Sequence, residues 1–374
     1  IGIIGCGNIS DTYFTLAPMF KGLTVVACAD IKAPLARAKA ERYGVAAMGV
    51  DEMLKGDAVD TVINLTIPAA HYDITLAILS AGKNAYSEKP LALSAAAAKK
   101  LVAEADRRGV KLGGAPDTFL GGAPQLARRL IDKGAIGSVI AGSAYVMSRG
   151  MEHWHPNPDF FFQPGGGPIL DLGPYYITDL VHLLGPVKRL SAFTNMARKE
   201  RIVTADGPYK GSVIKVGTPT TIHGVLEFHN GAIITIGASW DVAAHGHHNI
   251  ELYGTDGSIF VPDPNFFGGD LVTTGIEGIR TPVEPWDHPF GKPNQDLEKD
   301  TPRANYRCAG LADMMLSHEQ GLSARCGLDV ALHVVEVMTG LLEAGETGQV
   351  ITLKTTCERP RALGIDEARA LLRS

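Results

Sequence analysis

Apolar and polar positions along this chain change their rhythm near residue 120, and the change outlines two halves. Over the first ~115 residues, short apolar runs alternate with stretches of helical period. "IGII" and "LTVVACAD" have the apolar, β-branched content of strands buried in a parallel sheet, "VDTVINLTIP" predicts a third strand and "KNAYSEKP" a fourth, shorter one. Between and after them come three helical stretches. "APLARAKAERYG" is ended by Gly44, "AHYDITLAILSAG" is closed by Gly82, and "SAAAAKKLVAEADRRG" has Ser94 at its N-cap and Gly109 at its end. Strict alternation of strand and helix predicts a doubly wound parallel sheet.

Beyond residue 120 the rhythm becomes one of long alternating strands. "APQLARRLIDKG" predicts a helix, "SVIAGSAYVMS" a strand, and "YYITDLVHLLGP" a helix stopped by Gly-Pro. Asn230-Gly231 and Asp256-Gly257 each sit between two alternating runs, a strong hairpin signal. Two further helices are expected at about 304–319 and 328–344. This half predicts an α+β arrangement, with a large, mostly antiparallel open sheet and helices on one face.

Composition narrows the picture. At 374 residues, 45% hydrophobic and 20% charged, the chain reads as a soluble globular protein of two domains. A net charge of −5 with scattered basic residues argues against nucleic acid or an anionic membrane as partner. The five cysteines are widely spaced and lack CxxC pairs, which suggests neither a disulfide framework nor a thiolate metal site and fits a reducing cytoplasm. No apolar run approaches the ~20 residues needed to span a bilayer.

The first chemistry-bearing motif is "IGIIGCGNIS", a strand followed by Gly5-x-Gly7-x-x-Ser10. In a dinucleotide-binding turn the first glycine permits the tight bend and the second lets backbone approach a pyrophosphate. The third small residue keeps the helix close to the sheet. Asn8 and Ile9 complete the expected loop. Asp30 ends the next strand at the spacing of the acid that accepts hydrogen bonds from ribose hydroxyls. That favours NAD, while Lys32 nearby keeps NADP open.

Three further segments, taken with this loop, resemble one family. "DTVINLTIPAAHYDITLAILSAGKNAYSEKPLALS" contains a Thr66-x-Pro68 loop, His71 and the triplet Glu88-Lys89-Pro90. "GGGPILDLGPYYITD" and "IELYGTDGSIFVP" follow in order. Together they resemble the Gfo/Idh/MocA oxidoreductases, the glucose–fructose oxidoreductase and inositol dehydrogenase superfamily. The resemblance implies a Rossmann domain over 1–120, a substrate-binding and oligomerisation domain over 121–350, and a C-terminal extension over 351–374. It also implies cofactor contacts at Thr66, Pro68, His71, Glu88 and Lys89, and a homodimer or homotetramer formed through the C-terminal sheet.

Oxidising a carbinol by hydride transfer needs a base for the hydroxyl proton and a group that stabilises the developing alkoxide. Lys89 follows a short strand at the end of the Rossmann sheet, where such sheets bind ligands, and a partly desolvated lysine can also shuttle a proton. Asp171 and Tyr175 are the other expected catalytic residues. Pro174 belongs in a first helical turn, so a helix running to Leu184 presents Tyr175 one turn from Asp171. In many family members position 175 is histidine; tyrosine resembles the glucose–fructose oxidoreductase and dihydrodiol dehydrogenase branches. Either Lys89 or Tyr175 can take the proton first.

Other residues are candidates for substrate contact. "MEHWHPNPDFFFQP" offers His153, Trp154 and His155 to sugar hydroxyls and C–H faces, with Phe160 to Phe162 as contacts or as pins to the core. Thr178 is a further contact. In "GAPDTF", Asp117 and Phe119 are expected to line a cleft between the domains. His245, His247 and His248 form a dense tract, yet lack Cys or acid partners nearby, so no metal is expected. The leading expectation is an NAD(P)-dependent dehydrogenase of a sugar, cyclitol or related polyol. Two alternatives share the motifs: an NAD-dependent glycosidase working through transient C3 oxidation, and a non-catalytic dinucleotide-binding protein.

Overall fold

The alternating apolar runs of the first third form β1 (Gly2–Ile4), β2 (Ala27–Ala29), β3 (Ala46–Ala47), β4 (Thr61–Asn64), β5 (Asn84–Ser87) and β6 (Leu112–Gly114). In the computed structural model, which describes residues 1–295 and 302–373, they pair in the order β3-β2-β1-β4-β5-β6. Every pairing is parallel. All but the edge strand β3 are buried or nearly so, which is why these runs read as continuously apolar. The three helices expected between strands form at Ala33–Tyr43, Pro68–Ser80 and Ala95–Arg108. Gly44 and Gly109 end two of them in the left-handed region, and the Ser94 side chain caps the last by accepting the Ala97 N–H.

This sheet belongs to a unit made of Ile1–Gly122, Asp287–Val335 and the chain from Pro360 onward. The later segments are tied in by charge and backbone bonds. Arg325 is buried and pairs with Asp313 and Glu367, the latter on the Ile365–Leu371 helix. Arg373 donates to the carbonyls of Phe20 and Leu23 at 3.1 and 2.6 Å. Asp117 and Phe119 are buried at 1% exposure each. The Asp117 carboxylate accepts the Gly310 N–H at 3.0 Å, and burial pushes it up to about 6.

The second unit comprises Ala123–Trp286 and Glu336–Arg359. Its strands are β7 (Val139–Met147), β8 (Val187–Asn195), β9 (Glu200–Ile202), β10 (Val213–Lys215), β11 (Thr221–Phe228), β12 (Ile233–Ser239), β13 (Ile250–Gly254), β14 (Gly257–Val261), β15 (Val272–Gly275), β16 (Arg280–Pro282) and β17 (Ile351–Thr352). Nine of them form one sheet in the order β16-β15-β14-β13-β7-β12-β11-β8-β17, and β9 with β10 makes a separate ribbon. Only β7 with β12 is parallel; the other pairs are antiparallel. The Asn230-Gly231 and Asp256-Gly257 hairpins form where the alternation places them.

One face of this sheet is core. Ile222, Leu226, Ile234 and Ile236 lie on it, each buried and each contributing about 1.5–3 kcal/mol. A Cβ at Gly224 would sit 2.5 Å from Leu341 of the Leu328–Thr347 helix, so glycine there admits the helix. The opposite face leaves Phe193 83%, Ile233 51% and Val225 41% exposed. No helix among the described residues is long and apolar enough to cross a membrane.

Candidate active site

The glycine loop is built for close backbone approach. Gly5 has φ +101°, and a Cβ there would lie 2.6 Å from the carbonyl of Leu65, so only glycine fits the bend. A Cβ at Gly7 would meet nothing within 4 Å, which leaves space above the loop for a phosphate. Gly7, Asn8 and Ile9 are exposed; Ser10 is buried and donates its hydroxyl to the Gly7 carbonyl at 2.6 Å. Asp30 follows β2 and accepts the N–H groups of Cys6 at 2.8 Å and Lys32 at 2.7 Å. Each carboxylate oxygen keeps a lone pair for a ribose hydroxyl. Backbone freedom and acid together fit a dinucleotide.

Two other loops of this unit are stapled by buried side chains. Thr66 donates its N–H and hydroxyl to Asn64 Oδ1 at 3.1 and 2.7 Å. Pro68 starts the following helix. His71 is 1% exposed, with Nδ1 at 2.7 Å from the Pro90 carbonyl and Nε2 at 2.9 Å from the Thr66 carbonyl. Burial lowers its affinity for a proton, against the pull of both carbonyls. Glu88, 8% exposed, accepts the Tyr13 hydroxyl at 2.8 Å and the Lys89 N–H at 2.9 Å. The Lys89–Pro90 bond is cis. His71 and Glu88 thus direct their polar atoms at protein groups, and they hold the Thr66 and Lys89 loops in place. Tyr13 is a member of this arrangement that sequence reading did not single out.

The second half of the expected site lies in the second unit. Gly165 and Gly167 have φ of +89° and +91°, and a Cβ at Gly166 would sit 2.4 Å from the Phe161 carbonyl. The chain then makes a helical turn, Pro168–Asp171, breaks at Leu172, and forms the Gly173–Leu184 helix with Pro174 in its first turn. Asp171 is half-buried, whereas Tyr175 and Thr178 are buried at 7% and 4% exposure. Asp179, one turn beyond Tyr175, is 1% exposed, and neither carboxylate oxygen has a hydrogen-bond partner among the described residues. Burial alone pushes it up to about 7.

The aromatic loop before the glycines divides by role. Phe162 is fully buried in a cluster with Met151, Val203, Ala205, Ile214 and Trp240, which pins the loop to the core. Trp154 is 64% exposed. His153 is half-buried, with Nδ1 at 2.8 Å from the Thr204 hydroxyl and Nε2 at 3.5 Å from Glu152 Oε1. At His155, Nδ1 accepts the Asn157 N–H at 3.1 Å, so the neutral ring carries its proton on Nε2. Burial lowers the pKa of His155, and the Asp171 carboxylate is near enough to oppose that shift. His155 and Asp171 thus lie within electrostatic reach of each other. In the other histidine tract His247 stacks on Tyr145 at 4.0 Å and on His245 at 6.2 Å between ring centroids, while His248 meets Arg280 at 3.0 Å. Among the described residues no three His, Cys, Asp or Glu side chains are grouped to hold a metal ion.

Comparison with known proteins decides the family. The model for the oxidoreductase family with an NAD-binding Rossmann fold matches residues 1–114, and that for the GFO/IDH/MocA C-terminal domain matches 125–260. The chain belongs to the Gfo/Idh/MocA oxidoreductase family. Its first unit carries that family's NAD-binding Rossmann sheet. Among curated Gfo/Idh/MocA relatives, it is 27% identical over 250 residues to D-glucoside 3-dehydrogenase of Escherichia coli, across 64% of this chain and 70% of that protein. It is 26% identical over 288 residues to bovine trans-1,2-dihydrobenzene-1,2-diol dehydrogenase, across 76% of this chain and 80% of that protein. An NAD binding oxidoreductase from Klebsiella pneumoniae shares the fold with a TM-score of 0.77 at 20% identity, over 94% of this chain and 97% of that one.

Proposed function

We propose that this protein is an NAD-dependent dehydrogenase that oxidises a CH–OH group of a sugar, cyclitol or related polyol, with NADP as a weaker cofactor. The observation that carries the reading is a dinucleotide-fitting loop in a chain that belongs to this oxidoreductase family and carries Lys89, Asp171 and Tyr175 in the segments that resemble it. Relatives named for glucoside and dihydrodiol dehydrogenation support the substrate class. Bound NAD would supply the hydride acceptor. The chain's own residues handle the proton and the charge. Lys89 stabilises the alkoxide that develops at the reacting carbon. Tyr175 and Lys89 relay the hydroxyl proton, and Asp171 orients them. His155 Nε2–H donates to a neighbouring substrate hydroxyl, Trp154 packs against the sugar face, and Thr178 lines the same site; His153 supports the loop. Glu88 and His71 act through the loops they staple, while Thr66 and Pro68 border the nicotinamide.

The oligomer in this reading is a homodimer or homotetramer joined through the exposed sheet face around Phe193 and Ile233. The expected domain division, with a Rossmann domain to about residue 120, remains part of the proposal. Buried free cysteines fit a reducing cytoplasm. The test uses K89M and Y175F with saturating NAD and a panel of sugars and inositols. Loss of about 10²- to 10⁴-fold in kcat with NAD binding intact is expected. Unchanged turnover in both variants contradicts the relay.

A further inference from the structure

Arg201, in the β9–β10 ribbon, is 3% exposed although nothing in its local sequence marks it as buried. Its guanidinium ties three parts of the second unit together. Nη1 donates to Glu152 Oε1 at 2.6 Å and to the Arg149 carbonyl at 3.3 Å. Nη2 donates to the Trp240 carbonyl at 3.0 Å and to Asp241 Oδ1. The plane lies 4.9 Å over the Phe162 ring. Asp241 in turn accepts the hydroxyls of Thr220 and Thr221 at 2.6 and 2.9 Å. A Cβ at Gly150 would fall 2.3 Å from Glu152 Oε2 and 2.7 Å from Arg201 Nη1, so the backbone gives way to the ion pair.

The carboxylate on the other side of this hub belongs to the turn that carries the candidate substrate residues. Glu152 lies in the Met151–His153 turn, and the Met151 carbonyl accepts the His155 N–H at 2.9 Å. The Glu152 carbonyl accepts Thr204 N–H and Ala205 N–H at 2.9 and 3.0 Å. A buried group of three charges is a poor way to gain stability, since apolar residues of equal volume commonly do as well. Its distinctive property is a fixed geometry, which a planar fork sharing two carboxylates imposes and a point charge does not.

We propose that Arg201 is a positioning residue for substrate specificity. Through Glu152 and Asp241 it fixes the turn that presents His155 to a polyhydroxylated substrate. This rests on the reading of the protein as a polyol dehydrogenase. The test measures KM and kcat for the best polyol, and KM for NAD, in wild type, R201K and T220V. R201K keeps the charge but loses the fork, and T220V removes one donor to Asp241. The expected result is a rise of about tenfold or more in polyol KM for R201K, with kcat and the NAD KM within about threefold. T220V should shift the same constant by about two- to threefold. An unchanged polyol KM in both variants overturns the inference while leaving the dehydrogenase reading intact. So does a parallel loss of kcat and NAD affinity, the pattern of general unfolding. If R201K is too unstable to assay, T220V decides alone, and an unchanged polyol KM overturns the inference. A wild-type protein that turns over no polyol sinks the functional reading and this inference together.

Discussion

Replacing Asp179 with asparagine should remove a pH dependence of stability that the wild type carries. The Asp179 carboxyl is 1% exposed, has no hydrogen-bond partner among the described residues on either oxygen, and is pushed by burial from 3.8 to about 7. The folded state therefore holds this proton more tightly than the unfolded chain does. Any stability from the neutral acid is fully present below the unfolded value of 3.8 and is lost as pH rises through about 7. A shift of this size corresponds to an upper limit of ~4 kcal/mol between the two ends of that window. Asparagine has no such proton, and it leaves a similar unpaired polar group behind, costing about 1–3 kcal/mol at every pH. The difference between wild type and D179N, read by urea unfolding from about pH 4 to about pH 8, should thus move in favour of the variant by up to ~4 kcal/mol. A difference that stays flat across the range refutes the assignment of a proton to this buried acid.

Two other outcomes follow from the geometry. D30A removes the acceptor held by the Cys6 and Lys32 N–H groups; KM for NAD should rise about ten- to hundredfold, and the preference over NADP should shrink. Steady-state kinetics with both cofactors reads this, and a constant ratio argues against ribose recognition by Asp30. F193E places a charge on a side chain 83% exposed on the open sheet face. Sedimentation should show smaller particles than the wild type, and an unchanged assembly removes that face from the interface.

Much of the fold was legible because its strands carry local patterns. The runs that became β1, β2 and β4 announce themselves by apolar content, and the two hairpins by Asn-Gly and Asp-Gly. Strand β3 is two alanines and β6 is Leu-Gly-Gly, sequences without strand propensity that are paired by their neighbours. The helix expected from about 304 begins at Ala309, after Cys308 adopts φ +88°. Nothing local in the tail from 351 says that β17 joins β8 or that Leu372 bridges Phe20. The site divides in the same way. The glycine loop and the Gly165–Gly167 turn are readable because backbone demands restrict residue type. Arg201 and Asp179 were not, since an arginine in a strand or an acid in a helix usually faces water, and only the packing around them says otherwise.

The most direct measurement follows a label. A polyol or glycoside carrying deuterium on the carbinol carbon is mixed with NAD and the protein, and the reduced cofactor is analysed by mass spectrometry. The dehydrogenase account predicts deuterium accumulating in reduced nicotinamide in step with a keto product, and a large slowing with Y175F. Substrate cleaved at its glycosidic bond with no deuterated cofactor accumulating, or no label transfer from any sugar or cyclitol, contradicts it.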